Sequence, residues 1–93
     1  MKISVLTPSY NRADLLENLY KSLIENSSYE VEIEWLIMDD GSTDNTKEKV
    51  DEFIKQEKID IKYFYQENQG KMQAINNLVG QASGELIVDC DSD

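Results

Sequence analysis

The sequence predicts an α/β protein built around a mostly parallel, Rossmann-like sheet. Short apolar runs alternate along the chain with amphipathic stretches, which is the pattern of βα units. Residues 33–38 and 86–88 are almost continuously apolar, as in buried strands, whereas residues 59–65 alternate between apolar and polar, as edge strands do. With the third strand at an edge, right-handed crossovers give the strand order 3-2-1-4 with helices on both faces.

The first unit is a strand followed by an amphipathic helix. Residues 3–7 form the first predicted strand, and Asn11 is expected to cap a helix over about 12–26. The apolar side chains of that helix recur at helical spacing, so they should share the face that packs on the sheet. They are Leu15, Leu16, Leu19, Tyr20, Leu23 and Ile24.

The second unit repeats this order. Residues 33–38 form the second predicted strand, and a helix is expected over about 45–57. Asn45 and Glu48 have the spacing of a helix cap and its reciprocal acid. The side chains expected to point inward from this helix are Val50, Phe53 and Ile54.

The last unit contains the edge strand, a third helix and a fourth strand. Residues 59–65 form the edge strand, residues 71–82 the helix, and residues 85–89 the last strand, after a stop at Ser83 and Gly84. The inward stripe of the helix is Ala74, Ile75, Leu78, Val79 and Ala82. The fourth strand would be an apolar edge without charged protection, so we expect the sheet to continue beyond Asp93 in a longer protein. The exposed edge is also expected to cause self-association.

Composition narrows the classes of function. The 93 residues carry 19 acids against nine bases, a net charge of −10, which argues against nucleic-acid binding. The single cysteine, Cys90, excludes an internal disulfide and is expected to be a small apolar side chain, since no histidine is present to activate it. Neither a signal peptide nor an apolar run of about 18 residues is found, which predicts a cytoplasmic protein.

Three polar clusters follow strands one, two and four. They are residues 7–12, residues 39–44 and residues 89–93. Ligands of open α/β sheets bind beyond the carboxyl ends of the strands, near the switch in strand order. Because strands two, one and four are predicted neighbours, the three clusters should converge on one crevice.

The first two clusters, and Lys71, each allow a structural and a functional interpretation. The segment Thr7, Pro8, Ser9 and Tyr10 could be a simple strand-to-helix turn, or its backbone and the Tyr10 ring could line a base pocket. Arg12 could pair with Asp14 or another acid, or bind a ligand phosphate.

The cluster after strand two is explained by a turn and a helix start, except for its two adjacent acids, Asp39 and Asp40. A carboxylate at this position can accept from a ring N–H or a ribose hydroxyl. Lys71 could be an ordinary helical lysine or a counter-charge to a nucleotide.

The acidic terminus is the most informative cluster. Asp91 and Asp93 directly follow a buried strand, and clustered carboxylates there repel one another unless a cation or hydrogen bonds neutralise them. Such oxygen ligands suit Mg²⁺ or Mn²⁺, although an Asp-x-Asp pair could also be a solvated acidic tail. The sequence has no dinucleotide or P-loop glycine motif and no hydrolase nucleophile motif.

Taken in order, these segments resemble the N-terminal half of the family 2 glycosyltransferases, which have the GT-A fold. The matching segments are residues 4–12 (SVLTPSYNR), 35–44 (WLIMDDGSTD), 67–71 (ENQGK) with Ala74 and Asn76, and Gly84-Glu85 leading into Asp91-Ser92-Asp93. The resemblance covers nearly all of the chain. It implies transfer of a sugar from a nucleotide diphosphate donor, usually UDP-linked, to an acceptor hydroxyl of a glycan or a lipid-linked sugar.

The resemblance also implies roles for single residues. The segment Thr7–Tyr10 and Asp40 would hold the base, with Asp40 accepting from the uracil N–H. Lys71 and Arg12 would lie beside the nucleotide. Asp91 and Asp93 would meet the ribose and the Mn²⁺ or Mg²⁺ ion that bridges the diphosphate and neutralises the departing UDP.

The chain departs from the family pattern at two places. Family members invert the anomeric carbon with an acidic base that lies well downstream of the Asp-x-Asp motif. Residues 1–93 are therefore expected to be a donor-binding part that does not turn over substrate. The full-length enzyme could associate with a membrane. Asp89 and Cys90 stand where apolar residues are usual. Two other classes stay open: a nucleotidyltransferase that makes nucleotide-sugars, and a non-enzymatic interaction domain with an acidic pocket.

Overall fold

The computed structural model describes residues 1–90 of the chain. Its four strands are all parallel and lie in the order β3-β2-β1-β4, which confirms the predicted topology. The elements in chain order are β1 (Lys2–Ser9), α1 (Ala13–Asn26), β2 (Glu32–Asp40), α2 (Thr46–Lys55), β3 (Asp60–Gln66), α3 (Lys71–Val79) and β4 (Leu86–Asp89).

Helices cover both faces of the sheet, as predicted. Helices α1 and α2 pack on one face, where Tyr20, Trp35 and Phe53 stack with ring centroids 4.2 to 6.3 Å apart. Helix α3 packs on the other face through Ala74 and Leu78. The alternation of side chains along each strand therefore supplies two apolar layers from one sheet.

Strands β1 and β2, which lead to the first two polar clusters, are longer than predicted, whereas β4 begins one residue later than predicted. β1 runs through Pro8 to Ser9, and its last two residues pair with Met38 and Asp39 of β2. The interpretation of residues 7–10 as a turn is therefore wrong for the first three of them. Pairing between β1 and β4 extends only to Leu6 of β1, so Pro8 lies beyond that ladder, where its missing N–H is tolerated.

Three side chains predicted to point inward remain partly in water. Leu15, Ile54 and Val79 are 38%, 40% and 47% exposed. Each lies at the margin of the apolar stripe of its helix. α3 also ends at Val79 rather than at residue 82, and the chain continues through a turn of i→i+3 hydrogen bonds.

A buried carboxylate at the amino end of the sheet joins three strands. Glu34 of β2 has no exposed surface, and it accepts from Ser4 Oγ at 2.6 Å, Lys62 Nζ at 2.7 Å and the Ser83 N–H at 3.0 Å. Burial acts to raise the pKa of Glu34, but these hydrogen bonds outweigh it and lower the pKa to about 2. Glu34 therefore stays ionised in the folded protein. The sequence had indicated only a strand residue here.

The fourth strand is the apolar edge that the sequence predicted. Leu86, Ile87 and Val88 are 45%, 45% and 39% exposed, and among residues 1–90 the strand pairs only with β1. None of the helices in this range is long and apolar enough to cross a lipid bilayer.

Candidate nucleotide site

The carboxyl ends of β2, β1 and β4 lie side by side, as the strand order requires. Ser9 of β1 pairs with Asp39 of β2, and Leu6 pairs with Asp89 of β4. The Cys90 N–H then donates to the Leu6 carbonyl at 2.8 Å. Asp91 and Asp93, the predicted metal ligands, follow in sequence and lie outside the described residues.

The end of β1 is mostly buried. Thr7 is fully buried, and its hydroxyl accepts from Trp35 Nε1 at 2.9 Å. Pro8 is also buried. Ser9 is 3% exposed, and its hydroxyl is the one buried side-chain polar atom in the described range without a hydrogen-bond partner. Tyr10, at 47% exposure, is the member of this segment whose side chain faces solvent.

Asp40 ties the end of β2 to the start of α3. Its carboxylate accepts from Gln66 Nε2 at 2.9 Å, the Gln69 N–H at 2.7 Å and the Gly70 N–H at 3.0 Å. Burial acts to raise the pKa of Asp40, but these hydrogen bonds outweigh it and lower the pKa. A carboxylate offers about four lone-pair sites, so Asp40 keeps acceptor capacity beyond these three donors. Sequence reasoning did not identify the three donors.

Asp39 takes part in a separate network on the other face of β2. One oxygen accepts from the Ser42 N–H at 2.8 Å and the other from the Tyr63 hydroxyl at 2.5 Å. Burial and the adjacent Asp39 carboxylate raise the pKa of Tyr63, so the phenol remains a donor. The pair of adjacent acids that a turn alone could not explain is thus accounted for by two different hydrogen-bond networks.

Asn11 does not cap α1, so that prediction is wrong. The N-cap position is Arg12, without a side-chain hydrogen bond, and Asn11 has a left-handed backbone with φ of 50°. Its Oδ1 instead accepts from the N–H groups of Thr43 and Asp44 at 2.8 and 3.2 Å, and its own N–H donates to Ser42 Oγ at 2.8 Å. Asn11 therefore joins the loop after β1 to the loop after β2.

The predicted N-cap position of α2 is confirmed at Asn45, but the predicted capping by its side chain is wrong. Asn45 occupies the N-cap position but makes no side-chain cap hydrogen bond. Asp44 accepts from the Thr46 N–H at 3.0 Å and from its hydroxyl, and its second oxygen accepts from the Ala13 N–H at 3.4 Å. Burial opposes ionisation, but these donors lower the pKa of Asp44. Asp44 thus accepts hydrogen bonds from the first residues of both α1 and α2.

The two basic candidates lie at helix starts on this side of the sheet. Arg12 lines an open cavity of about 390 Å³ with Asp14 and Asp44. Lys71 is the first residue of α3 and follows Gly70, whose N–H is bound by Asp40. Both side chains are exposed. Within residues 1–90, no cluster of three or more acidic, histidine or cysteine side chains could hold a metal ion.

Residues 4–93 match the model of the glycosyl transferase family 2. The chain belongs to this family. A relative from Campylobacter jejuni, a GalNAc(5)-diNAcBac-PP-undecaprenol beta-1,3-glucosyltransferase, is 40% identical over 94 residues, which cover 99% of this chain and 29% of the relative.

Solved structures of two other proteins share the fold. TarS 1-349 of S. aureus, in complex with UDP-GlcNAc, aligns with a TM-score of 0.88 at 33% identity, over 100% of this chain and 27% of that one. A Pyrobaculum calidifontis mannosyltransferase, in complex with GDP-Man and Mn²⁺, aligns with a TM-score of 0.82 at 27% identity, over 98% and 27%. The sheet and its helices are thus the GT-A arrangement that the resemblance implied. This family 2 chain spans between 15% and 35% of the length of the curated relatives compared with it.

Proposed function

We propose that residues 1–93 are the donor-binding part of an inverting glycosyltransferase domain that transfers a sugar from a UDP-sugar to an acceptor hydroxyl. The main support is geometric: the ends of β2 and β1 are adjacent, and Asp40 holds the start of α3 against them. An accessible aromatic ring, an ionised carboxylate and a basic residue therefore follow strand ends or begin a helix on the side of the sheet where α/β proteins bind nucleotides, close to the switch in strand order.

In this proposal the base is held by Tyr10 and Asp40. The half-exposed Tyr10 ring offers a stacking surface, and the remaining lone pair of Asp40 accepts from the uracil N–H. The buried Ser9 hydroxyl, which lacks a partner in the described range, offers a further polar contact. Thr7 and Pro8 are both buried, so they would form the backbone beneath the base pocket and not contact the base with their side chains. Lys71 and Arg12 offset the charge of the diphosphate.

The metal ion would be Mn²⁺ or Mg²⁺ held by Asp91 and Asp93. Carboxylate oxygens are suitable ligands for both ions, and the two acids follow Cys90, which is bound to β1 at Leu6. When bound, the ion neutralises charge on the UDP leaving group. Asp91 would also contact the ribose. The relative solved with GDP-Man and Mn²⁺ supports a divalent cation here.

The names of the relatives support a proposal for the acceptor and for the type of polymer that is made. A homologue named for an undecaprenol-linked substrate supports a lipid-linked or glycan acceptor, handled by a cytoplasmic enzyme at the membrane surface. The names TarS and teichuronic acid glycosyltransferase support a place in surface polysaccharide synthesis. We assign neither the acceptor half nor a catalytic base to any residue of this chain, so no turnover by these residues alone is expected.

Calorimetric titration with UDP in the presence and absence of Mn²⁺ tests this proposal. UDP should bind more tightly with Mn²⁺ than without, and more tightly than ADP or GDP. The double variant Asp91→Asn, Asp93→Asn should lose the Mn²⁺ effect, while the control Asp89→Asn, an acid just before the motif, should retain it. Absent binding, or UDP binding that is indifferent to Mn²⁺, would contradict the proposed site.

A further inference from the structure

Three side chains of the polar loops form a cluster that we name the loop lock: Asn11, Ser42 and Asp44. Asn11 Oδ1 accepts from two consecutive N–H groups of the β2–α2 loop, and Ser42 Oγ accepts from the Asn11 N–H. Asp44 returns the contact by accepting from the Ala13 N–H. Four hydrogen bonds therefore connect two loops that are 31 to 33 residues apart in sequence.

We propose that Asn11 is a positioning residue, which acts through this lock to hold Tyr10 and Arg12 ready for the nucleotide. The inference rests on the proposed function and adds a residue that it does not otherwise use. Tyr10 and Arg12 flank Asn11 directly, and both have exposed side chains, so their directions depend on the backbone of Asn11.

The conformation of Asn11 makes this dependence strong. Its φ of 50° is a left-handed backbone, which Asn, Asp and Gly adopt at low cost and other residues avoid. Glycine would keep the backbone shape but lose the acceptor for the Thr43 and Asp44 N–H groups. Aspartate would keep both the shape and an acceptor oxygen. The two substitutions therefore separate backbone conformation from the lock.

The lock should lower the cost of ordering the site. Without it, the backbone at Tyr10 and Asn11 would lose more of its freedom when the ligand binds, and that lost freedom would be subtracted from the affinity. We expect Asn11→Gly to weaken UDP binding about tenfold on this ground. Asn11→Asp should bind within about threefold of the native chain, because the retained acceptor keeps the loop ordered.

A role in direct ligand contact is separated from positioning by Ser42→Ala. This substitution removes the acceptor for the Asn11 N–H and leaves Asn11 in place. It should also weaken UDP binding, and the effects of Asn11→Gly and Ser42→Ala should be less than additive because both open one lock. Asn18→Ala, an exposed asparagine of α1, should bind UDP as the native chain does.

The experiment combines UDP calorimetry of these variants with amide hydrogen exchange at Thr43 and Asp44. Faster exchange together with weaker binding in Asn11→Gly, and recovery of both in Asn11→Asp, would support the inference. Faster amide exchange in Asn11→Gly with unchanged UDP affinity would overturn the positioning role of Asn11 and leave the proposed function standing. Equal losses of UDP affinity in Asn11→Gly and Asn11→Asp would do the same. Absence of UDP binding by the native chain would overturn the proposed function and this inference with it.

Discussion

Asp39 and Asp40 are consecutive in sequence, yet their carboxylates enter separate hydrogen-bond networks on opposite faces of the sheet. Asp39 binds Ser42 and Tyr63 on the side of α2, and Asp40 binds the backbone at the start of α3. This separation follows from the two-residue repeat of a strand. The two acids do not share a site, so their substitutions should have different consequences.

Asp40→Ala should loosen the start of α3 and weaken nucleotide binding. Three donors would lose their acceptor, which is expected to lower the free energy of unfolding by about 1–3 kcal/mol. UDP affinity should fall further in Asp40→Ala than in Asp39→Ala, because the proposed function gives a contact with the base to Asp40 and none to Asp39. Urea unfolding and UDP calorimetry of both variants would measure this. Equal UDP affinities in the two variants would contradict the assignment of Asp40.

Glu34 should make the stability of the fold sensitive to acid. Its pKa is about 2 in the folded protein against a reference of 4.5, so the unfolded chain takes up the proton first. The stabilisation, on the order of 3 kcal/mol from this shift, is present above about pH 5 and is lost as the pH falls towards 2. Urea unfolding at pH 7 and pH 3 should show the native chain losing more stability than Glu34→Gln. If the difference in free energy of unfolding between the native chain and Glu34→Gln were the same at pH 7 and pH 3, the prediction would be wrong.

Gly84 has no room for a side chain. An added Cβ would lie 2.6 Å from Ser4 Oγ, which accepts from the Gly84 N–H, and 2.7 Å from the Ser4 nitrogen. Gly84→Ala should therefore destabilise the protein by about 1–3 kcal/mol, the usual cost of forced packing. Gly80→Ala is the matched control, since nothing lies within 4 Å of its added Cβ and its backbone is α-helical. Thermal unfolding of both would test this, and similar midpoints would refute it.

The exposed strand β4 should drive self-association. Its three apolar side chains are 39% to 45% exposed at an edge that is unpaired within residues 1–90. Sedimentation velocity should show concentration-dependent oligomers of the native chain. Val88→Lys should reduce them, whereas Val79→Lys, an exposed valine of α3, should not. A strict monomer at high concentration would disprove the prediction.

The position of the candidate site could be predicted from the sequence, but the hydrogen bonds between its loops could not. The apolar runs located β1 and β2, and the polar residues that follow them marked the edge of the sheet at which we propose that the nucleotide binds. The partners of Asn11 and Asp40 were missed because they come from distant segments of the chain, and for Asn11 the local spacing favoured a helix cap instead. One signal was present and was not used: Glu34 is an acid within the apolar run 33–38, and a buried acid needs partners.

The sequence alone was sufficient for the strand order and for the edge at which the polar loops meet. Apolar periodicity is a local property, and the handedness of βα crossovers leaves few arrangements open. Only the tertiary structure decided which donors and acceptors pair, since the decisive hydrogen bonds join residues from 24 to 80 positions apart. Such pairs depend on register and loop path, which no local pattern encodes.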